Sequence, residues 1–166
     1  MVEEINKQID ELHLSDKFDD VFNLVQNNLE NANCMENAEF LWRASRSYFD
    51  RAESKPTDKD WQLQNFTKSH ELAKLALQKD DKNAFTHKVK KMVCGVVYSN
   101  GFWKKKWFAI SLSSLGEFVS TKEKISNAFT IQKHLQKSIE LNPNDPTTCS
   151  FTFFFISPIF PTKNKN

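Results

Sequence analysis

The chain's apolar residues recur at helical spacing for most of its length. Phe18, Val21, Phe22, Val25 and Leu29 fall at i, i+3, i+4, i+7 and i+11, one face of a 3.6-residue helix, with Ser15 placed to cap it. Asn31 to Asn33 form a short polar break, and residues 36–53 resume the pattern through Leu41, Ala44, Tyr48 and Ala52. Ser54-Lys55-Pro56 ends that helix, because the residue before a proline disfavours helical backbone. Thr57 and Asp60 resemble a capping box for a third helix that turns Leu63, Phe66, Ala73, Ala76 and Leu77 towards a core and stops near Lys79 to Asn83. Ser120 and Glu123 form a clearer capping box, followed by Ile125, Ala128, Phe129, Leu135 and Ile139 and a stop at Asn142-Pro143. Alternation of period 2 is almost absent, so the pattern predicts an antiparallel helix array.

Periodicity alone does not separate a closed bundle from an open solenoid. A degenerate internal repeat favours the solenoid. Residues 73–83 (AKLALQKDDKN) resemble residues 135–145 (LQKSIELNPND): small and apolar positions at helical spacing, then a polar stop. Small residues let helices approach closely and proline terminates them, as at the end of a tetratricopeptide-like unit. The offset of 62 positions is not one 34-residue unit.

Composition changes this picture in two places. The 166 residues suit one domain, and their net charge is +2. Residues 88–105 contain Lys88, Lys90, Lys91, Lys104 and Lys105 and no acid; without these five lysines the charge is −3. Five of the 15 phenylalanines (Phe151, Phe153, Phe154, Phe155, Phe160) lie beyond residue 150. That tail contains Pro158 and Pro161 and has no helical period, so residues 149–166 read as a non-helical, atypical ending. A membrane anchor is the sharper alternative, but the apolar run falls well short of the roughly 20 residues that span a bilayer. Left exposed, the tail would be a docking or aggregation patch.

Candidate chemistry is sparse. Three scattered cysteines (Cys34, Cys94, Cys149) argue against a disulfide framework and for a reducing compartment. Gly95, Gly101 and Gly116 are too few and too far apart for a phosphate loop. His13, His70, His87 and His134 have no metal-ligand spacing, and no Gly-x-Ser-x-Gly elbow occurs. The residues predict no catalytic, cofactor or metal site. Lys104-Lys105-Lys106 between Trp103 and Trp107 has the basic and aromatic character of single-strand binding sites, but one short cluster on a chain that is otherwise mildly acidic argues against nucleic acid as a partner. Arg43 and Arg46 share one side of a helix and are the candidates for meeting an acidic partner; the alternative is pairing within the protein with Glu39 or Asp50.

Several segments resemble the regulator of microtubule dynamics protein family. Leu41-Trp42-Arg43-Ala44-Ser45-Arg46-Ser47-Tyr48 is similar to that family's leucine-tryptophan-arginine segment, with Ser45 where the family has alanine. Ile125, Lys133, His134 and Leu135 resemble a later helix, and residues 138–143 (SIELNP) resemble its stop. The likeness spans roughly residues 5–148. A family histidine-lysine-tryptophan segment is split here between His87-Lys88 and Lys106-Trp107, and removing 88–105 rejoins it. The segment reads as an intron retained in frame, since a Val89 codon begins with GT and one lysine codon ends with AG; the alternative is a loop particular to this chain. Sequencing the mature message across the junction distinguishes the two.

The resemblance implies an all-α, tetratricopeptide-like antiparallel helix array over residues 1–148, interrupted near 88–105 and truncated at the C-terminus. It implies a non-enzymatic cytoskeletal protein that associates with tubulin or microtubules and with spindle poles, and that acts in microtubule dynamics and chromosome segregation. The absence of an N-terminal anchor then predicts the cytoplasm. A generic tetratricopeptide adaptor for a peptide or chaperone tail is the alternative.

Overall fold

A computed structural model describes residues 1–90 and 101–156, with side chains within 1–79 and 101–151. Among these residues the secondary structure is entirely helical: α1 (Val2–Leu14), α2 (Phe18–Gln26), α3 (Ala32–Met35), α4 (Ala38–Glu53), α5 (Lys59–Lys90), α6 (Phe102–Leu115), α7 (Thr121–Leu141) and α8 (Pro146–Ile156). The all-helical array expected from periodicity is therefore present. Its packing has a simple rule. Each of α1, α4, α6 and α8 touches the next along one row, while α2, α5 and α7 form a second row and pack between neighbours of the first. Among the described residues, no comparable packing joins α2 to α5 or α5 to α7.

Small residues set the closest approach. Ser45 and Ser69 are fully buried between α4 and α5, their hydroxyls 3.1 Å apart, and Ser69 also donates to the Ser45 carbonyl at 2.8 Å. Ala44, Ala73 and Ala76 extend this seam at zero exposure. The main core then gathers Ile9, Val25, Phe40, Leu41, Leu72 and Ile110. Burying each such apolar side chain contributes about 1.5–3 kcal/mol.

Helix ends follow local chemistry, with three corrections to the sequence reading. Ser15 closes α1 instead of opening α2: its hydroxyl donates to the Glu11 carbonyl, and Asp16 makes the turn at φ 57°. Aspartate tolerates that left-handed backbone better than most residues. The cap of α5 is Asp58, whose carboxylate accepts from Trp61 N–H at 3.0 Å, not Thr57 with Asp60. α5 does not stop at Lys79 to Asn83 but continues to Lys90, because residues 80–90 contain no proline or glycine to break it. The Ser120–Glu123 capping box is complete in both directions, and Asn142 caps the end of α7.

The expected insertion and tail also look different in structure. Residues 101–105 open α6, burying Phe102 and Lys104, so this part of the segment 88–105 belongs to the helical packing. Residues 91–100, with Cys94, lie outside the described residues. The tail is helical as far as Ile156: Pro146 occupies the first turn of α8, where a missing N–H costs nothing, and no breaker follows until Pro158. The rest of the predicted tail, residues 157–166, lies outside the described residues. No helix among the described residues is long and apolar enough to cross a membrane.

Candidate protein interface

The first-row helices are tied together by polar pairs, one set at each joint. Between α1 and α4, Arg43 forks onto Asp10, with Nη2 2.7 Å and Nε 3.0 Å from its carboxylate. Arg46 reaches the same carboxylate at 3.3 Å. Between α4 and α6, Lys104 meets Glu39 at 2.8 Å, and the Trp42 and Trp103 rings stack with centroids 5.2 Å apart. Glu39 also accepts from Trp42 Nε1 and Arg43 Nη1. Burial opposes its charge, but Lys104, Trp42 and Arg43 outweigh burial and hold the carboxyl below its usual range. Between α6 and α8, Lys106 bonds Asp145 at 3.0 Å and lies over the Trp103 ring at 4.7 Å.

Arg43 and Arg46 are thus brought together, as their spacing predicts, and both face inward onto Asp10, with side chains only 15% and 12% exposed. Arg43 also pairs with Glu39, one of the two internal partners weighed from sequence. Burial lowers the pKa of Arg46, and its Nε is buried without a partner. A partner protein would meet little of either guanidinium.

The lysine cluster divides in the same way. Lys104 and Lys106 are 1% and 3% exposed and engaged by Glu39 and Asp145, while Trp103 and Trp107 pack inward. Only Lys105 of the three is left towards solvent, so the run is not a basic stripe for nucleic acid. Lys105 instead joins Lys133, His134, Gln136, Lys137 and Glu140 around a shallow groove of about 300 Å³ between α6 and α7. Lys137 pairs with Glu140, the one carboxylate of the lining, at 2.6 Å, whereas Lys105 and Lys133 form no ion pair among the described residues. His134 reports the resulting field: burial first, then Lys105 and Lys133, push its pKa down. One and two turns earlier on α7, Phe129 and Ile125 are 58% and 53% exposed, although their spacing reads as core. Sequence reasoning missed this face. Lys133 and Lys137 at i, i+4 were its only local signal, and Lys105 joins them through the fold.

The described residues bring together no group of three or more His, Cys, Asp or Glu that could hold a metal. Cys34 is buried, and burial raises its pKa, so it is a poor nucleophile. His70 bonds the Ser111 hydroxyl at 3.1 Å and packs on Phe108, with burial pressing its pKa down.

These features define a stacked helical array whose buried polar groups hold its own joints and whose α6–α7 groove carries an excess of lysines. The chain belongs to the family described as Regulator of microtubule dynamics protein 1-3, which matches residues 5–101 and 96–152. It is 33% identical over 147 residues to Regulator of microtubule dynamics protein 1 of Pongo abelii, covering 89% of this chain and 40% of that protein. It is 31% identical to the Bos taurus protein 1 over the same share of the chain, and 30% identical to Regulator of microtubule dynamics protein 3 of Mus musculus over 84% of it. The chain therefore spans about two fifths of the length of the protein 1 relatives. No solved structure matches it.

Proposed function

We propose that this chain binds microtubules without catalysing a reaction, and that it acts in the cytoplasm at the spindle and spindle poles during chromosome segregation. The observation that carries the reading is the α6–α7 groove, lined by Lys105, Lys133 and Lys137 against one carboxylate, Glu140, which Lys137 engages. The tubulin surface is acidic, so an unbalanced basic face complements it. The relatives' shared name supports the same partner. Arg43 and Arg46, first considered as partner contacts, contribute on this reading mainly by fixing the first row, with their exposed edges a minor contact. The alternating packing of the two rows supports a tetratricopeptide-like interpretation of the array.

On this reading residues 1–148 act as one binding domain, with an addition within 88–105 whose last residues, Phe102, Lys104 and Lys105 among them, are part of α6. The family match is split into two stretches that overlap at 96–101, inside that segment, which is in keeping with a discontinuity there.

Co-pelleting of the purified chain with microtubules over a salt series tests the proposal. The wild-type chain should pellet at low salt and be released as salt rises. Replacing Lys105, Lys133 and Lys137 together by glutamine should weaken pelleting severalfold. Pelleting that ignores both salt and the triple substitution would remove the groove from the mechanism. A folded chain that never pellets, yet binds peptides in high salt, would favour the generic adaptor.

A further inference from the structure

Arg51 lies on the same helix as Arg43 and Arg46, but its charge has a different fate. Its guanidinium is held between two aromatic faces, 3.9 Å from the Phe22 ring centroid on α2 and 4.9 Å from that of Trp61 on α5. Trp61 is itself fixed, because its Nε1 donates to the Arg51 carbonyl at 2.9 Å. Among the described residues the Arg51 guanidinium makes no hydrogen bond. Its carboxylate neighbour is Asp19 at 3.7 Å, whose side chain is 97% exposed and gains little from the contact. Arg51 is 31% exposed, so a planar fork of five N–H donors is positioned and unspent.

The surrounding groove follows from the packing rule. Helices α2 and α5 both rest on α4 with no comparable packing on each other, which leaves a slot of about 440 Å³ with Tyr48 and Arg51 among its lining. Tyr48 hydroxyl accepts from Gln26 Nε2, so its own proton remains available. Asn65 donates to the Trp61 carbonyl at 2.8 Å, leaving its amide oxygen as an acceptor. Gln26 and Asn65 thus present amide oxygens from α2 and α5, matching the N–H groups of an extended backbone, while Arg51 and Tyr48 supply donors to an anion. Lys68 and Glu71 pair with each other at 3.4 Å and cancel, so the lining keeps the positive charge of Arg51. Lys55, over Trp61 at 4.1 Å, adds a second cation nearby.

We propose that this groove binds an extended acidic segment of a partner protein, with one Asp or Glu carboxylate seated on Arg51 and Tyr48. The site is separate from the α6–α7 face and does not depend on the microtubule reading. A short fluorescein-labelled peptide of alternating Glu and Gly is the probe, followed by anisotropy. Arg51→Met should weaken binding about tenfold or more, the loss expected for a charge-assisted fork. Arg51→Lys keeps the charge and should weaken it by a similar factor, which covers the case in which Arg51→Met fails to fold. Lys124→Met, on α7, should change it less than about twofold. Three results would overturn the proposal: no binding to the folded wild-type chain, equal weakening by the Arg51 and Lys124 substitutions, or free glutarate competing as well as unlabelled peptide. A concentration-dependent dimer that Arg51→Lys abolishes would also overturn it, by making a second copy the occupant.

Discussion

Substitution of Asp145 by asparagine should cost this protein about 2–4 kcal/mol, because it leaves a buried ammonium without a carboxylate. Lys106 and Asp145 meet at 3.0 and 3.2 Å, with side chains 4% and 11% exposed. Burial pulls the Lys106 pKa down, and Asp145 pulls part of it back. Asp145 is held below its usual range: burial raises it, but hydrogen bonds from Thr148 and the charge of Lys106 outweigh burial. Removing one partner of a buried pair costs about 3–5 kcal/mol. The ring faces of Trp103 and Phe102, at 4.7 and 5.6 Å, return about 1 kcal/mol to the orphaned lysine. Asparagine can still accept from Thr148, so the cap of α8 is not the main loss. Lys106→Met removes the cation instead, and should cost only about 1 kcal/mol, since Asp145 keeps both Thr148 donors. The double variant should then be more stable than Asp145→Asn alone. Urea denaturation of the four proteins, followed by far-UV circular dichroism, closes this cycle. Melting points should move by about 2–4 °C per kcal/mol. An Asp145→Asn protein within about 0.5 kcal/mol of wild type would refute the reasoning, as would strict additivity in the double variant.

Trp42→Ala should lose about 3–5 kcal/mol, since the ring is 3% exposed and stacked on Trp103, and Trp42→Phe should recover much of it; the urea midpoint reports both. Ser69→Leu should destabilise by about 3 kcal/mol, because the α4–α5 seam has no room for added methylenes, whereas Ser69→Ala should cost about 1 kcal/mol for the lost bonds. His70 and His134 are both held below the ordinary value of 6.5, so the unfolded chain takes up protons first. Their contribution to stability is therefore complete above about pH 7 and declines as pH falls through 6.5 towards the folded values. The double variant His70→Gln/His134→Gln should flatten that decline in melting temperature, and an unchanged slope would exclude these rings as its source.

Much of this architecture is written in local pattern. The stripe through Leu41, Ala44, Tyr48 and Ala52 is the buried face of α4, and the Ser120–Glu123 box opens α7 as its spacing predicts. What escapes the sequence is long-range. Serine caps either end of a helix, so Ser15 alone does not tell which helix it belongs to; the left-handed turn at Asp16 decides it. Ile125 and Phe129 share the helical period of core residues but lie outside the stripe of Ala128, Ile131, Leu135 and Ser138 that α6 and α8 cover. Lys104 and Lys106 look like surface because lysines usually are, and their partners Glu39 and Asp145 stand far away in the chain. The three arginines of α4 are alike in sequence. Asp10 occupies two of them, and only the folded chain shows that Arg51 is left with its donors.

The polar ties also have a mechanical side. Among the described residues, ion pairs fasten α1 to α4, α4 to α6 and α6 to the head of α8, while none joins α2 to α5 or α5 to α7. A load along the array would fall first on the fastened edge, since the opposite edge has no such ties between its helices among the described residues. The Arg51 slot lies on that second edge, between two helices that are joined through α4 and not by an ion pair of their own, so the width of the slot is set by how α2 and α5 each seat on α4.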